Sequence, residues 1–219
     1  MLAFGAREGK EARKIVAIGD PITYDPNFEM LRRNLAVSRG FDNKMGAFIV
    51  AETLRCVSRS RKNPKAALYS VATVQEEIGL RGARTSAYGI DPLVGIALDV
   101  TFATDHPDTD KRKEGDIKIG GGPVITRGAN VNPLVFDRLL SAAKKTGIPY
   151  QVSASPGGTG TDANAIQLTR AGVATGLVSV PQRYMHTSTE VLSLDDLDHT
   201  VKLLTEFVLN IDKKTRFIP

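Results

Sequence analysis

Four carboxylates and a histidine occupy the positions where an α/β chain does its chemistry. Glu76 and Glu77 follow the apolar run 67–74 (ALYSVATV), which reads as a strand. Asp99 closes a second such run, 94–99 (VGIALD). His186 lies just past a third, 173–180 (VATGLVSV), in the segment Pro181-Gln182-Arg183-Tyr184-Met185-His186. Asp42 immediately precedes a helix predicted over 44–57. In open α/β sheets, sites form beyond the carboxyl ends of the strands, so these residues are expected to meet. Carboxylates gathered at one edge repel one another unless a cation sits among them. Oxygen and imidazole ligands in this mixture suit divalent metals, zinc especially. Singly, each residue has an ordinary reading. Asp42 would be a helix cap, Asp99 a turn residue, Glu76 and Glu77 solvated charges and His186 a loop histidine. Their coincidence in position is what points to a metal site.

The elements that must hold these residues alternate along the chain. Besides the three strands, 149–154 is predicted to be extended, and 15–18 is a short strand candidate. Helix 44–57 is expected to bury Met45, Phe48, Ile49 and Val57. Helix 133–145 has Asn132 as N-cap, Pro133 at its first position and Gly147 at its end, with Phe136, Leu139, Leu140 and Ala143 as its buried stripe. Helix 194–210 carries Leu197, Val201, Leu204 and Val208 on one face, and Ser193 with Asp196 resembles a capping box. Strands that are apolar throughout and alternate with helices imply an α/β fold, a mostly parallel mixed sheet covered on both faces. Residues 1–35 differ: Gly5, Gly9, Gly19, Pro21 and Pro26 break them up, as at the end of another module.

Composition narrows the classes further. With 219 residues, 42% hydrophobic and 24% charged, the chain is neither disordered, collagen-like nor coiled coil. No apolar run approaches the ~18 residues of a membrane span, and the first residues lack a signal-peptide pattern. The single cysteine, Cys56, excludes an internal disulfide framework and a thiolate metal site, fits a reducing cytoplasm, and is expected to pack in the core. The net charge of +5 comes from short scattered clusters such as Arg59, Arg61 and Lys62, without tryptophan, which predicts a solvated surface and no nucleic-acid or membrane partner.

Five stretches resemble the M42 family of metallo-aminopeptidases: Gly40-Phe41-Asp42-Asn43-Lys44-Met45-Gly46, Ala72-Thr73-Val74-Gln75-Glu76-Glu77-Ile78-Gly79-Leu80-Arg81-Gly82-Ala83, Ala97-Leu98-Asp99-Val100-Thr101, Gly158-Thr159-Gly160-Thr161-Asp162-Ala163 and Arg183-Tyr184-Met185-His186-Thr187. Their order and spacing agree with the family over nearly the whole chain. The resemblance implies a zinc-exopeptidase-like three-layer α/β/α sandwich, peptide substrates and a homo-oligomer, from dimer to dodecamer in relatives. It also implies two divalent ions, zinc or cobalt. Asp42 would bridge them, Glu77 and His186 would complete one site, and Asp99 would belong to the other. Glu76 would be the general base that takes a proton from the attacking water. Gly158, Thr159, Gly160, Thr161 and Asp162 would line the substrate pocket, with Asp162 near the free amine.

The departures from the family matter equally. Members carry a further histidine ligand upstream, then an inserted PDZ-like domain. Here 41 residues precede Asp42 and none is histidine. Residues 1–35 match only the tail of that insertion, best at Gly19-Asp20-Pro21-Ile22-Thr23-Tyr24, and residues 36–219 match the catalytic domain without its first part. The expectation is therefore an N-terminally truncated catalytic unit whose second metal site is incomplete, a C-terminal portion rather than an internal start at Met1 or a degenerate relative. If the chain is all there is, it is expected to be inactive or weakly active.

Other motifs carry less. His106, in Asp105-His106-Pro107-Asp108-Thr109-Asp110, sits in a loop punctuated by Pro and Asp, and His199 is expected at the surface of the last helix. Gly158–Ala163 fits Gly-x-Gly-x-x-Ala before a helical run, 165–170. No acidic residue follows about 20 positions on, as a dinucleotide site requires. Gly-x-Ser-x-Gly and His-Glu-x-x-His are both missing. The rival functions are a glycosidase, as some family labels imply, and a non-catalytic assembly subunit.

Overall fold

The computed structural model describes residues 5–25, 27–107 and 109–218. Pro26, Asp108 and the first four residues of the predicted 1–35 module lie outside the described residues. In chain order the elements are α1 (Gly9–Ala12), β1 (Phe28–Met30), a 3-10 turn (Arg32–Asn34), β2 (Leu35–Ser38), α2 (Phe41–Arg59), α3 (Arg81–Ile90), β3 (Val94–Phe102), α4 (Lys111–Glu114), β4 (Val124–Gly128), α5 (Pro133–Thr146), β5 (Gln151–Ser155), α6 (Ala163–Ile166), β6 (Ala174–Arg183), β7 (Glu190–Ser193) and α7 (Leu194–Leu209).

The sheet is mixed and centred on β6. One edge of β6 pairs with β3 in parallel along its length, Val94 opposite Ala174 through Phe102 opposite Gln182. The other edge takes β4 at Val178 and Ser179, then β7 at Gln182 and Arg183, both antiparallel. β5 extends the sheet in parallel beyond β4, while β2 and then β1 extend it antiparallel beyond β7. The two parallel ladders are the longest, so the expected parallel character lives in β3/β6 and β4/β5.

Two glycines show the layering. A Cβ on Gly95 would strike Ile166 of α6, and one on Gly176 would strike Val135 of α5. Gly176 pairs with Ile96, the neighbour of Gly95, so the two glycines face opposite sides of the sheet. Helices α5 and α6 therefore cover opposite faces, giving the expected α/β/α sandwich. α7 packs on α5 and α2, and α3 packs on α6.

Local chemistry explains the clearest elements. The Asn132 side chain accepts from Val135 N–H at 3.1 Å, Pro133 starts α5, and Gly147 ends it with φ +67°. Phe136, Leu139 and Ala143 are buried as expected, and Leu140 packs partly against the same core. Leu197, Val201, Leu204 and Val208 form the buried face of α7. Cys56 packs partly against the core. No helix is long and apolar enough to cross a membrane among the described residues.

Several expectations are corrected. Residues 67–74 carry no regular secondary structure and join no ladder, Tyr69 and Val74 are exposed, and β3's second edge has no strand beside it among the described residues. An apolar run reads as a strand, but a strand also needs a neighbour to take its hydrogen bonds. Residues 15–18 form turns, with Ile15 and Val16 N–H donating to Ala12 and Asp20 capturing Ala17 N–H. Phe48 is exposed, because the buried row of α2 is Met45, Ile49, Thr53 and Val57, four residues apart. The helical run expected over 165–170 is the single turn α6. Asp99 does not end its strand, because pairing with β6 carries β3 on to Phe102. His199 is half-buried rather than at the surface, its Nδ1 enclosed without a partner.

The expected capping box at α7 is also replaced. Ser193 makes no side-chain cap. The fully buried Asp196 carboxylate instead accepts from Gly120 and Gly122 N–H, both at 2.7 Å, tying α7 to the turn before β4. Burial pushes its pKa up while the two amides pull it down, with a net rise. Asp196→Ala strands two amides, so urea unfolding should show a loss of about 2–4 kcal/mol; an unchanged midpoint would contradict this role.

Candidate metal centre

Each candidate ligand arrives on backbone that departs from regular structure. Gly40, at φ +67°, turns the chain from β2 into α2, where a side chain would be strained. Asp42 and Asn43 are non-helical within the first turn of α2, and the peptide bond between them is cis. Asn43 anchors this turn twice. Its Oδ1 accepts from Gly46 N–H at 2.8 Å, and its Nδ2 donates to Leu98 O at 2.9 Å and to Asp99 Oδ1 at 3.3 Å. Glu76 and Glu77 sit in a turn before α3, closed by Gly79 and Leu80 N–H onto Glu76 O and flanked by Gln75 and Leu80 at positive φ. This irregular stretch is what the two adjacent glutamates need to serve one site. His186 is in the loop after β6, at φ +63°. That loop is held at its start by a bidentate pair, Arg183 Nε and Nη2 each 2.8 Å from an Asp105 oxygen.

These segments bring Asp42, Glu77 and His186 together, with one ligand atom of each within 4.8 Å of the others. His186 Nε2 is 3.0 Å from Asp42 Oδ2 and 3.7 Å from Glu77 Oε2. Asp42's side chain is only 8% exposed, whereas His186 and Glu77 are open at 61% and 59%. A cleft of about 600 Å³ beside them is walled by Tyr24, Arg39 and Ser188.

Asp99 is not part of that trio. It is mostly buried in β3 and accepts from Val100 N–H at 2.9 Å and from Asn43. Its charge nevertheless couples to Asp42, Glu76 and Asp162. Glu76 is half-buried and couples to Glu77, Asp162 and Asp42. Of the loop 158–162, Asp162 reaches this cluster: its Oδ2 accepts from the Thr73 hydroxyl at 2.6 Å, and its Oδ1 is enclosed with no partner. Thr159 and Thr161 bond each other at 2.9 Å, Thr159 also receives Asn130, and a Cβ on Gly158 would crowd Asn164, so this part of the loop is knotted onto itself. Gly160, at φ +71°, makes the bend. His106 lies tilted against Tyr184, ring centres 5.2 Å apart, and is outside the trio.

The electrostatics describe an anionic site. Burial and then Glu77 push Asp42 up to about 6, against the pull of His186. Burial, then Glu77, Asp162 and Asp42, push Glu76 up to about 7. Burial pushes Asp99 up to about 7, helped by Asp42, Glu76 and Asp162 and opposed by Val100 N–H. Burial also raises Asp162, against the Thr73 hydrogen bond. Oxygen and imidazole donors converging on one point, with Asp42 costly to ionise among them, fit a divalent cation.

One further residue belongs to the site and has no mark in the spacing of the motifs. Glu190, 2% exposed at the start of β7, accepts from Asp42 N–H at 3.3 Å and from His186 N–H at 3.2 Å. The only sequence signal is a lone carboxylate directly before Val191 and Leu192 at the start of a short strand (EVLS).

The sequence profile of the M42 glutamyl aminopeptidases matches residues 1–203. The chain belongs to the M42 peptidase family. It is 42% identical over 200 residues to a lysyl aminopeptidase of Pyrococcus furiosus, covering 91% of this chain and 56% of that one. It superposes with TM-score 0.90 on the TET aminopeptidase from the marine sediment archaeon Thaumarchaeota archaeon SCGC AB-539-E09, at 32% identity, covering 96% of this chain and 59% of that one. It also matches a Pyrococcus horikoshii TET1 peptidase, described as assembling into a tetrahedron or a large octahedral shell, with TM-score 0.80 at 29% identity, covering 95% and 60%. The chain thus spans a little over half the length of these relatives.

The raised carboxyls set a pH dependence. Between about pH 4, where unfolded carboxyls titrate, and about pH 7, the folded metal-free chain holds more protons than the unfolded one. Stability from Asp42, Glu76 and Asp99 is therefore fully present below about pH 4 and lost as pH rises through about 7. Urea midpoints taken at about pH 5 and about pH 7.5 should fall with rising pH in chelator and fall much less with zinc. Asp196 contributes equally to both series, so the difference between them reads the metal site. Identical pH dependence in the two would contradict the cluster's role.

Proposed function

We propose that this M42 chain carries the metal-binding core of an aminopeptidase that removes N-terminal residues from short peptides. The observation that carries the proposal is the convergence of Asp42, Glu77 and His186 on one point. These three would hold one zinc or cobalt ion. Asp42 and Asp99 would offer oxygens to a second, which has no third ligand in the trio and is expected to bind weakly. Bound divalent ions would supply Lewis acidity at the scissile carbonyl and lower the pKa of water.

The chain's own residues supply the rest. Glu76, half-buried and titrating near neutrality, is suited to take a proton from water and pass it to the departing amine. Asp162, with one oxygen fixed by Thr73 and the other enclosed and unpaired, is suited to meet the cationic amino terminus of the peptide. The loop Gly158, Thr159, Gly160, Thr161 would form the wall beside it. Residues 1–35 are proposed to be the remnant of an inserted PDZ-like module and 36–219 the catalytic domain. A homo-oligomeric assembly is proposed by analogy with the TET peptidases, and the single cysteine supports a reducing, cytoplasmic setting. A glycosidase needs two carboxyls about 5–9.5 Å apart across a sugar bond; carboxylates gathered with a histidine around one point favour a metal instead.

The test combines metal titration with hydrolysis of aminoacyl-nitroanilides. One tight equivalent of zinc or cobalt is expected, with weak, chelator-sensitive hydrolysis whose kcat Glu76→Gln lowers about 10²–10⁴-fold while metal uptake is kept. Chelator-insensitive turnover would overturn the metal reading. The metal-loaded chain failing on every aminoacyl substrate would overturn the aminopeptidase reading for this chain.

A further inference from the structure

Glu190 is a buried carboxylate with no cationic side chain bonded to it among the described residues. Its Oε2 accepts from the backbone N–H of Asp42 and its Oε1 from that of His186. Both of those residues sit on irregular backbone. Asp42 is non-helical at the mouth of α2, so its amide has no place in the helical ladder. His186 is held at φ +63°, a conformation that side chains rarely adopt. Neither contact uses the side-chain atoms that face each other 3.0 Å apart. Glu190 itself is fixed from behind, on β7 opposite Ser38 of β2, and is almost sealed from solvent.

A charge buried on two amides is costly unless something near it is positive. It also adds to the repulsion felt by Asp42. Asp196 uses the same arrangement to tie the fold together, but at Glu190 both amides belong to candidate metal ligands. A site that must present a carboxylate and an imidazole to one cation gains a single rigid clip spanning two loops 144 residues apart in sequence, Asp42 to His186. Partners of this kind, behind the ligands, set ligand orientation and are worth about 10–100-fold in metal affinity.

We propose that Glu190 is a positioning residue that holds Asp42 and His186 in register for a shared divalent cation by accepting both of their backbone N–H groups. The proposal rests on the metal-site reading given above. Zinc competition against a chromophoric chelator tests it on wild type, Glu190→Gln and Glu190→Ala, with circular dichroism confirming the fold in chelator. Asp196→Ala is the control, since Asp196 likewise accepts two buried amides but lies away from the ligands. Glu190→Ala should weaken zinc affinity about 10–100-fold. Glu190→Gln, which keeps one carbonyl acceptor and reads the effect if the alanine variant does not fold, should fall in between. Asp196→Ala should lose stability and keep wild-type zinc affinity. Wild-type affinity in the folded Glu190 variants, or an equal loss in Asp196→Ala, would overturn the role of Glu190 alone. A wild-type chain that takes up no zinc would overturn the metal reading and this inference together.

Discussion

Asp42, Glu76 and Asp99 are crowded beside Glu77 at one end of the sheet, where burial and the neighbouring carboxylates make those three costly to ionise. Much of the surrounding structure keeps them there. They come from the β2–α2 junction, the turn before α3 and the interior of β3, and His186 comes from the loop after β6. Asn43 ties the first of these to the third, Glu190 ties the first to the histidine loop, and Arg183 with Asp105 fixes that loop's base. Four of the eight non-glycine residues in the left-handed region among the described residues, Gln75, Leu80, Tyr184 and His186, fall in the same places. Strain retained where acidic groups converge is what a binding site requires and a fold alone would avoid. The regular part of the molecule, β3 against β6 with α5 and α6 on opposite faces, is the frame to which these irregular segments are attached.

Much of this was legible in the residues because it is written locally. Helix α5 carries its own start, stripe and stop in Asn132, Pro133, Leu139 and Gly147. The site's Asp42, Glu77 and His186 follow from residue type and place at strand and helix ends, and they do meet. What was not legible depends on partners distant in sequence. Whether 67–74 is a strand depends on which chain lies beside it. Asp196 looked like a cap by spacing but bonds two glycine amides in a turn 74 and 76 residues away. Glu190 had no motif of its own, because its work is done on backbone amides, which any residue type supplies.

The chain belongs to the M42 family over most of its length, yet the two proposed metal positions are unequally furnished. The first has a carboxylate, a second carboxylate and an imidazole within 4.8 Å. The second has Asp99, turned toward Val100 N–H and Asn43, and shares Asp42. Glu76 and Asp162 lie between these positions electrostatically, coupled to both Asp42 and Asp99 or to each other. Glu76 thus feels both positions and Asp162 feels Glu76 and Asp99, while the cleft walled by Tyr24 and Arg39 gives access to the better-furnished position.

The most direct measurement is a crystal structure of the protein soaked in zinc, with anomalous differences recorded on either side of the zinc edge. One strong peak is expected in contact with Asp42, Glu77 and His186, at about 2.0–2.2 Å from a carboxylate oxygen of each acid and the imidazole nitrogen. No peak at that point, or zinc bound at His106 or His199 instead, would contradict it.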